Sequence, residues 1–193
     1  MILSNSNGFN GIKRAVFLDR DGTINIEKDY LYKIEDFEFI PGAPEAILRL
    51  NRAGFLVVII TNQSGVARGY YSEDELVKLH RHISDELSAI GAIVDGWYFC
   101  PHHLSGRPPY NIDCGCRKPL PGMLLQAARD LDINLENSWM VGDKLADVEA
   151  GIAAGCRPVL VKTGYGAEME SGLPLSVAVA ADISSAADMI IAV

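Results

Sequence analysis

Short apolar runs recur along this chain, each followed by residues at helical spacing. Ala15–Leu18, Phe55–Thr61, Trp97–Cys100, Ser138–Val141 and Pro158–Val161 have the length of strands. None alternates apolar with polar residues as a strand with one wet face does, so these strands need cover on both sides. The stretches between them supply it. Pro41 and Gly42 open a helix reaching about Ala53, Ser72 opens one reaching about Ile90, and Pro121–Leu131 and Asp147–Ala154 have helical periodicity too. Ser72 and Glu75 stand at capping-box spacing. Strands and helices alternating in this way predict an α/β fold, a parallel sheet with helices on both faces. Sites in such sheets form at the carboxyl ends of the strands. Those ends carry Asp19, Thr61, Cys100 and, after Val141-Gly142, Asp143.

At 193 residues the chain is expected to form a single domain over 15–193, preceded by a flexible Ser/Asn/Gly-rich arm over 1–14. Residues 168–175 are expected to be a surface loop. A formal net charge of −8 argues against nucleic acid as a partner. No apolar run approaches the roughly 18 residues that span a membrane. Met1 to Asn10 lacks the basic and apolar regions of a secretory leader. The expectation is a cytoplasmic monomer acting on a small molecule, with no nucleic-acid or membrane partner. His80 and His82 are expected at the surface or boundary of the helix that Ser72 opens.

Chemistry concentrates at the strand ends. In Asp19-Arg20-Asp21-Gly22-Thr23 the period of an extended chain puts Asp19 and Asp21 on one side and Arg20 on another. One carboxylate can attack while the other donates or takes a proton, provided that a cation suppresses their repulsion. Thr61-Asn62-Gln63-Ser64-Gly65 offers a hydroxyl and backbone N–H groups at a strand-to-helix turn, a cradle for phosphate. Arg117-Lys118 precedes a proline-started helix and is either solvated charge or a pair of anion ligands. Asp143 would complete a hard-oxygen site for Mg²⁺ with Asp19 and the main-chain carbonyl of Asp21. Asp147 either holds this loop, bonds a water near the metal, or caps the helix that follows.

Three cysteines and two histidines form a second cluster: Cys100-Pro101-His102-His103 and, after a loop, Cys114-Gly115-Cys116. Three thiolates and one imidazole, from either His102 or His103, suit a closed tetrahedral Zn²⁺ site that fastens the loop 100–116. Cys156 reads as a small buried filler.

Together the four strand-end motifs resemble those of the haloacid dehalogenase superfamily, in that family's order. The resemblance implies a Rossmann-like three-layer parallel sheet without a large cap domain, and phosphoryl transfer through an aspartyl-phosphate. A zinc-stabilised loop running into Cys116-Arg117-Lys118-Pro119 is similar to a branch with two sister families, the heptose 1,7-bisphosphate 7-phosphatases and the histidinol-phosphate phosphatases. The long zinc loop and the segments Phe17–Asn25, Phe37–Phe39 and Thr61–Gly69 resemble the heptose branch more. The likeness spans about Phe17 to Gly166.

That resemblance implies roles by position. Asp19 would be the nucleophile and Asp21 the acid, then the base. Thr61 and Lys118 would hold the transferring phosphoryl, and Asp19, Asp21 and Asp143 would bind Mg²⁺. Cys100, His102, Cys114 and Cys116 would bind Zn²⁺. Arg117 would recognise the distal phosphate and Lys144 would add a phosphate contact. Arg20, Asn62, Gln63 and Ser64, with the loop Glu27, Lys28, Asp29 and Tyr30, would line the pocket of a phosphorylated sugar. The implied reaction removes the C7 phosphate of a heptose bisphosphate in the synthesis of nucleotide-activated heptose. Histidinol phosphate is the rival substrate, and a phospho-accepting receiver switch the rival of a different class.

Overall fold

β1 (Ala15–Leu18) is buried on both faces, as an all-apolar strand must be. The computed structural model describes residues 13–174 and 176–193; most of the expected N-terminal arm, and Leu175, lie outside the described residues. Lys13 and Arg14, at the end of that span, pair with their neighbours: Lys13 bridges Ile133, and the Arg14 carbonyl accepts from Leu56 N–H at 3.0 Å.

After β1 come α1 (Ala43–Arg52), β2 (Leu56–Asn62), α2 (Ser64–Arg68), α3 (Glu73–Ala89), β3 (Gly96–Cys100) and α4 (Gly122–Leu131). They are followed by β4 (Trp139–Gly142), α5 (Leu145–Ala154), β5 (Arg157–Val161), α6 (Gly166–Met169), β6 (Ala178–Ala180) and α7 (Ile183–Ile191). The six strands form one parallel sheet in the order β3-β2-β1-β4-β5-β6. Alternate residues of β1 and β2 divide two cores. Val16, Leu18, Val57 and Ile59 pack with Leu50 of α1, Ile83 of α3 and Ile190 of α7. Ala15, Phe17, Val58 and Ile60 pack with Leu124 of α4 and Ala150 of α5. This is the expected three-layer α/β architecture. The strand order reverses between β1 and β4, which opens a crevice above their carboxyl ends.

The capping box of α3 forms as its spacing requires: Ser72 Oγ accepts from Glu75 N–H at 3.2 Å and Glu75 Oε2 from Ser72 N–H at 2.8 Å. Three elements differ from expectation. His80 is buried, not at the surface, because it faces the sheet from α3 and stacks on Trp97 with centroids 4.3 Å apart. The expected loop over 168–175 contains the end of α6 and a 3-10 turn at Glu170–Gly172. β6 and α7 complete the sheet edge and its cover, with Asp182 capping α7 by accepting from Ser185 N–H at 2.7 Å. No helix among the described residues is long and apolar enough to cross a membrane.

Candidate active site

Lys118 is the hub of the crevice. It is buried, and its ammonium donates to Asp19 Oδ1 at 2.8 Å, to Asp147 Oδ1 at 2.5 Å and to the carbonyl of Ile60 at 2.8 Å. An ammonium has three N–H donors, and all three are used. Burial alone would lower its pKa, but the carboxylates of Asp147 and Asp19 outweigh that and raise it. Asp147 also accepts from the backbone N–H of Lys144 at 3.0 Å. It therefore holds the loop as well as bonding the hub lysine.

Asp19 follows β1 directly, and its N–H donates to the carbonyl of Val141 at 2.9 Å. Oδ1 accepts from Lys118 and from the Arg20 N–H at 2.8 Å, while no hydrogen bond among the described residues engages Oδ2. Burial pushes this carboxyl up to about 6 against the pull of Lys118.

Asp21 is treated oppositely. Burial would raise it too, but the Arg20 guanidinium and hydrogen bonds from Asn25 and Gln63 hold it below the usual carboxylate range. Arg20 Nη2 lies 2.9 Å from Asp21 Oδ2, with Asn25 Nδ2 and Gln63 Nε2 each 3.0 Å from the carboxylate. This corrects two expectations about Arg20. Its side chain does not diverge from Asp21, because β1 ends at Leu18 and strand alternation stops there. Nor does that side chain reach the cavity: it is fully buried and committed to Asp21, to the carbonyl of Leu31 at 2.8 Å and to His80. The His80 pKa falls to about 3 through burial and the neighbouring Arg20 charge, so the ring is neutral and Nε2 accepts from the guanidinium at 3.3 Å.

Asp143, just past β4, is fully buried. Oδ2 accepts from Tyr165 N–H at 2.9 Å, whereas buried Oδ1 has no partner among the described residues. Burial and the nearby Asp19 push its pKa to about 7. Two glycines make room for it: Gly22 and Gly164 come from different loops, both at positive φ (80° and 55°), and a Cβ on either would collide with the Asp143 carboxylate. An orphaned buried oxygen between two carboxyls that resist ionisation is the donor set a hard cation satisfies. Asp19 and Asp143, with Asp147, form a cluster whose ligand oxygens lie within 4.8 Å of one another.

The cavity above these groups has a volume of about 370 Å³. Asp19, Asp21, Glu27, Asp29, Tyr30, Thr61, Asn62, Gln63, Ser64, Arg117, Lys118 and Lys144, all singled out from the sequence, line it. Several do so as braces. The Asn62 side chain clamps the Lys118 peptide, donating to its carbonyl at 3.0 Å and accepting from its N–H at 3.1 Å. Gln63 donates to Thr61 Oγ1 at 2.8 Å as well as to Asp21, and its own N–H is taken by the carbonyl of Cys100, so that N–H is not free for phosphate. Lys28 is absent from the lining. It points outward, donating to the carbonyl of Asp36 and to Glu38, because the Asp29 turn carries it away from the cavity. Lys144 reaches Glu27 Oε2 at 3.0 Å across the wall and lies over the Tyr165 ring.

Tyr71, Ala146 and Tyr165 also line the cavity and had no role in the sequence reading. Tyr71 donates to Gln63 Oε1 and so closes the brace behind Asp21. Its signal was faint, an aromatic before a helix cap. Tyr165 follows the carboxyl end of β5, a position that the strand-end rule could have flagged.

Beside the cavity, Sγ of Cys100 lies 3.5 Å from Cys114 and 3.1 Å from Cys116, with 3.1 Å between Cys114 and Cys116. His102 Nδ1 lies 3.4 Å from Cys116 Sγ and 3.8 Å from Cys100 Sγ. Sulfurs at Zn–S of 2.3 Å in a tetrahedron stand about 3.8 Å apart; the four donors are gathered as a zinc set is, with the sulfurs drawn somewhat closer than that. His103 turns away, its Nδ1 accepting from Ser105 N–H at 3.1 Å.

A HAD-hydrolase-like family model matches residues 115–186. Over 154 residues, 79% of this chain and 84% of the relative, the sequence is 51% identical to a D-glycero-beta-D-manno-heptose-1,7-bisphosphate 7-phosphatase of Pasteurella multocida. It is 46% identical to the protein of that name from Escherichia coli over 152 residues, 78% of this chain and 80% of that one. A crystal structure of D,D-heptose 1,7-bisphosphate phosphatase from B. bronchiseptica, complexed with magnesium and phosphate, superposes with a TM-score of 0.84 at 38% identity, covering 93% of this chain and 98% of that one. Likeness of this extent, on a parallel sheet whose strand ends gather the acids and the lysine of a phosphoryl-transfer site, settles the membership: the chain belongs to the D-glycero-beta-D-manno-heptose-1,7-bisphosphate 7-phosphatases of the haloacid dehalogenase superfamily.

Proposed function

We propose that this protein removes the C7 phosphate of D-glycero-D-manno-heptose 1,7-bisphosphate through an aspartyl-phosphate on Asp19, in the supply of nucleotide-activated heptose. The observation that carries this reading is the state of Asp19: one oxygen is fixed by Lys118 and a backbone N–H, the other is unengaged, and the cavity lies above. Asp19 and Asp143, with the Asp21 carbonyl, would hold Mg²⁺, which supplies charge compensation between the carboxylates and the phosphoryl when bound. Thr61 binds the phosphoryl oxygens, and Lys118 does so by turning to them one of the three N–H donors that Asp19, Asp147 and the Ile60 carbonyl hold in the free site.

Asp19 Oδ2 attacks phosphorus, the bond from phosphorus to the C7 oxygen breaks, and Asp21 gives that oxygen a proton. Asp21 is a carboxylate in the free site. The arriving phosphate charge opposes its ionisation and recruits the proton it later donates. Asp21 then takes a proton from water as water attacks the acyl phosphate, releasing inorganic phosphate and restoring Asp19. Arg20, Asn25, Gln63 and Tyr71 keep Asp21 aimed through both steps.

Zinc on Cys100, His102, Cys114 and Cys116 would fasten the loop that carries Arg117 and Lys118. None of the four cysteines is in a disulfide, and the working place assigned to the protein is the cytoplasm, as a monomer. Chelating zinc is expected to expose 100–116 to limited proteolysis; a loop equally resistant before and after chelation overturns the structural role.

Phosphate release should be measured with Mg²⁺ on both anomers of the heptose bisphosphate and on histidinol phosphate. Preference for a heptose anomer supports the reading and selects the pathway. Preference for histidinol phosphate keeps the mechanism but replaces the substrate. A stable phosphoryl group on Asp19 with no turnover identifies a switch.

A further inference from the structure

Asp21 has to keep one carboxylate in place through two proton transfers, and Arg20 does most of the holding. Arg20 Nε lies 3.1 Å from Asp21 Oδ1, while Nη2 reaches both carboxylate oxygens at 2.9 Å and donates to the Leu31 carbonyl at 2.8 Å. The remaining nitrogen, Nη1, has one partner among the described residues, His80 Nε2 at 3.3 Å. A guanidinium with no exposure to solvent depends on such acceptors. All of its N–H groups lie in one plane. The acceptor at Nη1 therefore sets the tilt of that plane, and the tilt sets where the N–H groups facing Asp21 point.

His80 is built to be a fixed acceptor. Its ring stacks on Trp97 with centroids 4.3 Å apart and planes 19° from parallel, and it meets the edge of Phe99 at 6.0 Å. Trp97 is fixed in turn. Its indole N–H donates to Ser84 Oγ at 3.0 Å, and Ser84 Oγ donates to the His80 carbonyl one turn back along α3, also at 3.0 Å. A closed circuit thus runs from the His80 backbone through Ser84 and Trp97 to the face of the His80 ring. None of these residues lines the catalytic cavity, and the phosphoryl-transfer steps use none of them.

We propose that His80 is a positioning residue for the acid–base step: through Arg20 Nη1 it fixes the plane in which Asp21 is held against the leaving oxygen. This rests on the role of Asp21 given above.

The test compares two leaving groups in single turnover, with Mg²⁺ and with enzyme in excess. The C7 oxygen of the heptose bisphosphate departs with a proton, whereas 4-nitrophenolate departs from 4-nitrophenyl phosphate without one. His80→Phe keeps a ring on Trp97 and removes the acceptor. Its rate constant for loss of the leaving group is expected to fall about tenfold on the bisphosphate, the scale of a misaimed catalytic group, with half-saturation unchanged. On 4-nitrophenyl phosphate it should stay within about twofold of wild type. His80→Gln, whose amide oxygen can take the place of Nε2, should recover most of the loss. Trp97→Leu, which keeps the acceptor and frees the ring, should show the same discrimination at smaller size. A single-turnover rate constant at saturating enzyme reads folded sites only, so partial unfolding does not imitate the effect. Equal slowing of both esters, or of neither, in His80→Phe (or in Trp97→Leu if the former does not fold) overturns the role of His80. Asp21→Asn tells that failure from failure of the mechanism: equal slowing of both esters in this variant removes Asp21 as the acid, and the positioning role with it. Histidinol phosphate is an alkyl ester too, so a preference for it leaves the comparison intact with that substrate.

Discussion

Asp19→Asn is expected to lower kcat by about 10⁴-fold or more, because an amide cannot form the acyl phosphate and no other group can take over attack. The replacement is nearly isosteric, and the fold should survive it. A buried carboxyl pushed up to about 6 becomes a neutral amide, which removes its repulsion with Asp147 and Asp143 while weakening its bond to Lys118. These changes oppose each other, so the melting temperature should move by only a few degrees, on the order of 1 kcal/mol of stability. Rapid quench with labelled substrate provides the check: wild type should trap phosphoprotein before steady state, and the variant none. Turnover that persists in the variant, with a normal burst, removes Asp19 from the role of nucleophile.

The second large effect concerns the hub. Lys118→Met keeps the length of the side chain and removes the charge that bridges Asp19 and Asp147. Breaking a buried ion pair from one side costs roughly 3–5 kcal/mol, since the remaining charges lose their compensation. Catalysis should fall about 10³-fold as well, because the same ammonium stabilises the transferring phosphoryl. The stability loss has a definite pH sign in Mg²⁺-free buffer. Asp19 already holds its proton more tightly folded than unfolded, and loss of Lys118 strengthens that preference. A raised folded pKa leaves stability intact below the unfolded value and removes it as pH rises through the folded value. Thermal melts of the variant should therefore lie closer to wild type at pH 5 than at pH 8. A gap that is wider at pH 5 would mean that Lys118 does not compensate buried carboxylates.

Most of the frame was legible because burial writes itself into composition. β1 and the helices α1, α3, α4 and α5 follow from apolar runs and helical spacing, with ends within a residue or two of those observed. β6 was missed because Ala178–Ala180 is three residues of small side chains at a sheet edge, with too few positions to show a period. At the site, the residues at strand ends announced themselves, since the chain must turn there and polar groups are otherwise out of place. The division of labour among them did not. That Asn62 clamps a peptide and Arg20 braces Asp21 depends on contacts distant in sequence or on local curling beyond a strand end. Strand alternation, carried past Leu18 where the strand ends, sent Arg20 to the wrong side. His80 was misplaced for a related reason: its polarity suggested water, but its helix turns it toward a buried guanidinium that needs an acceptor.

The tight seating of Asp143 between Gly22 and Gly164 bears on how such an enzyme can diverge. With no room for a side chain at either glycine, the floor of the site offers natural selection almost nothing to vary. The mouth is different: its residues sit on the 27–30 turn and at Arg117, directly after the long loop 100–116, where insertions and exchanges are cheap once the loop has an anchor of its own. New substrates are thus acquired by redrawing the rim while the chemistry beneath stays the same, and lineages should differ in what they admit long before they differ in what they do to it.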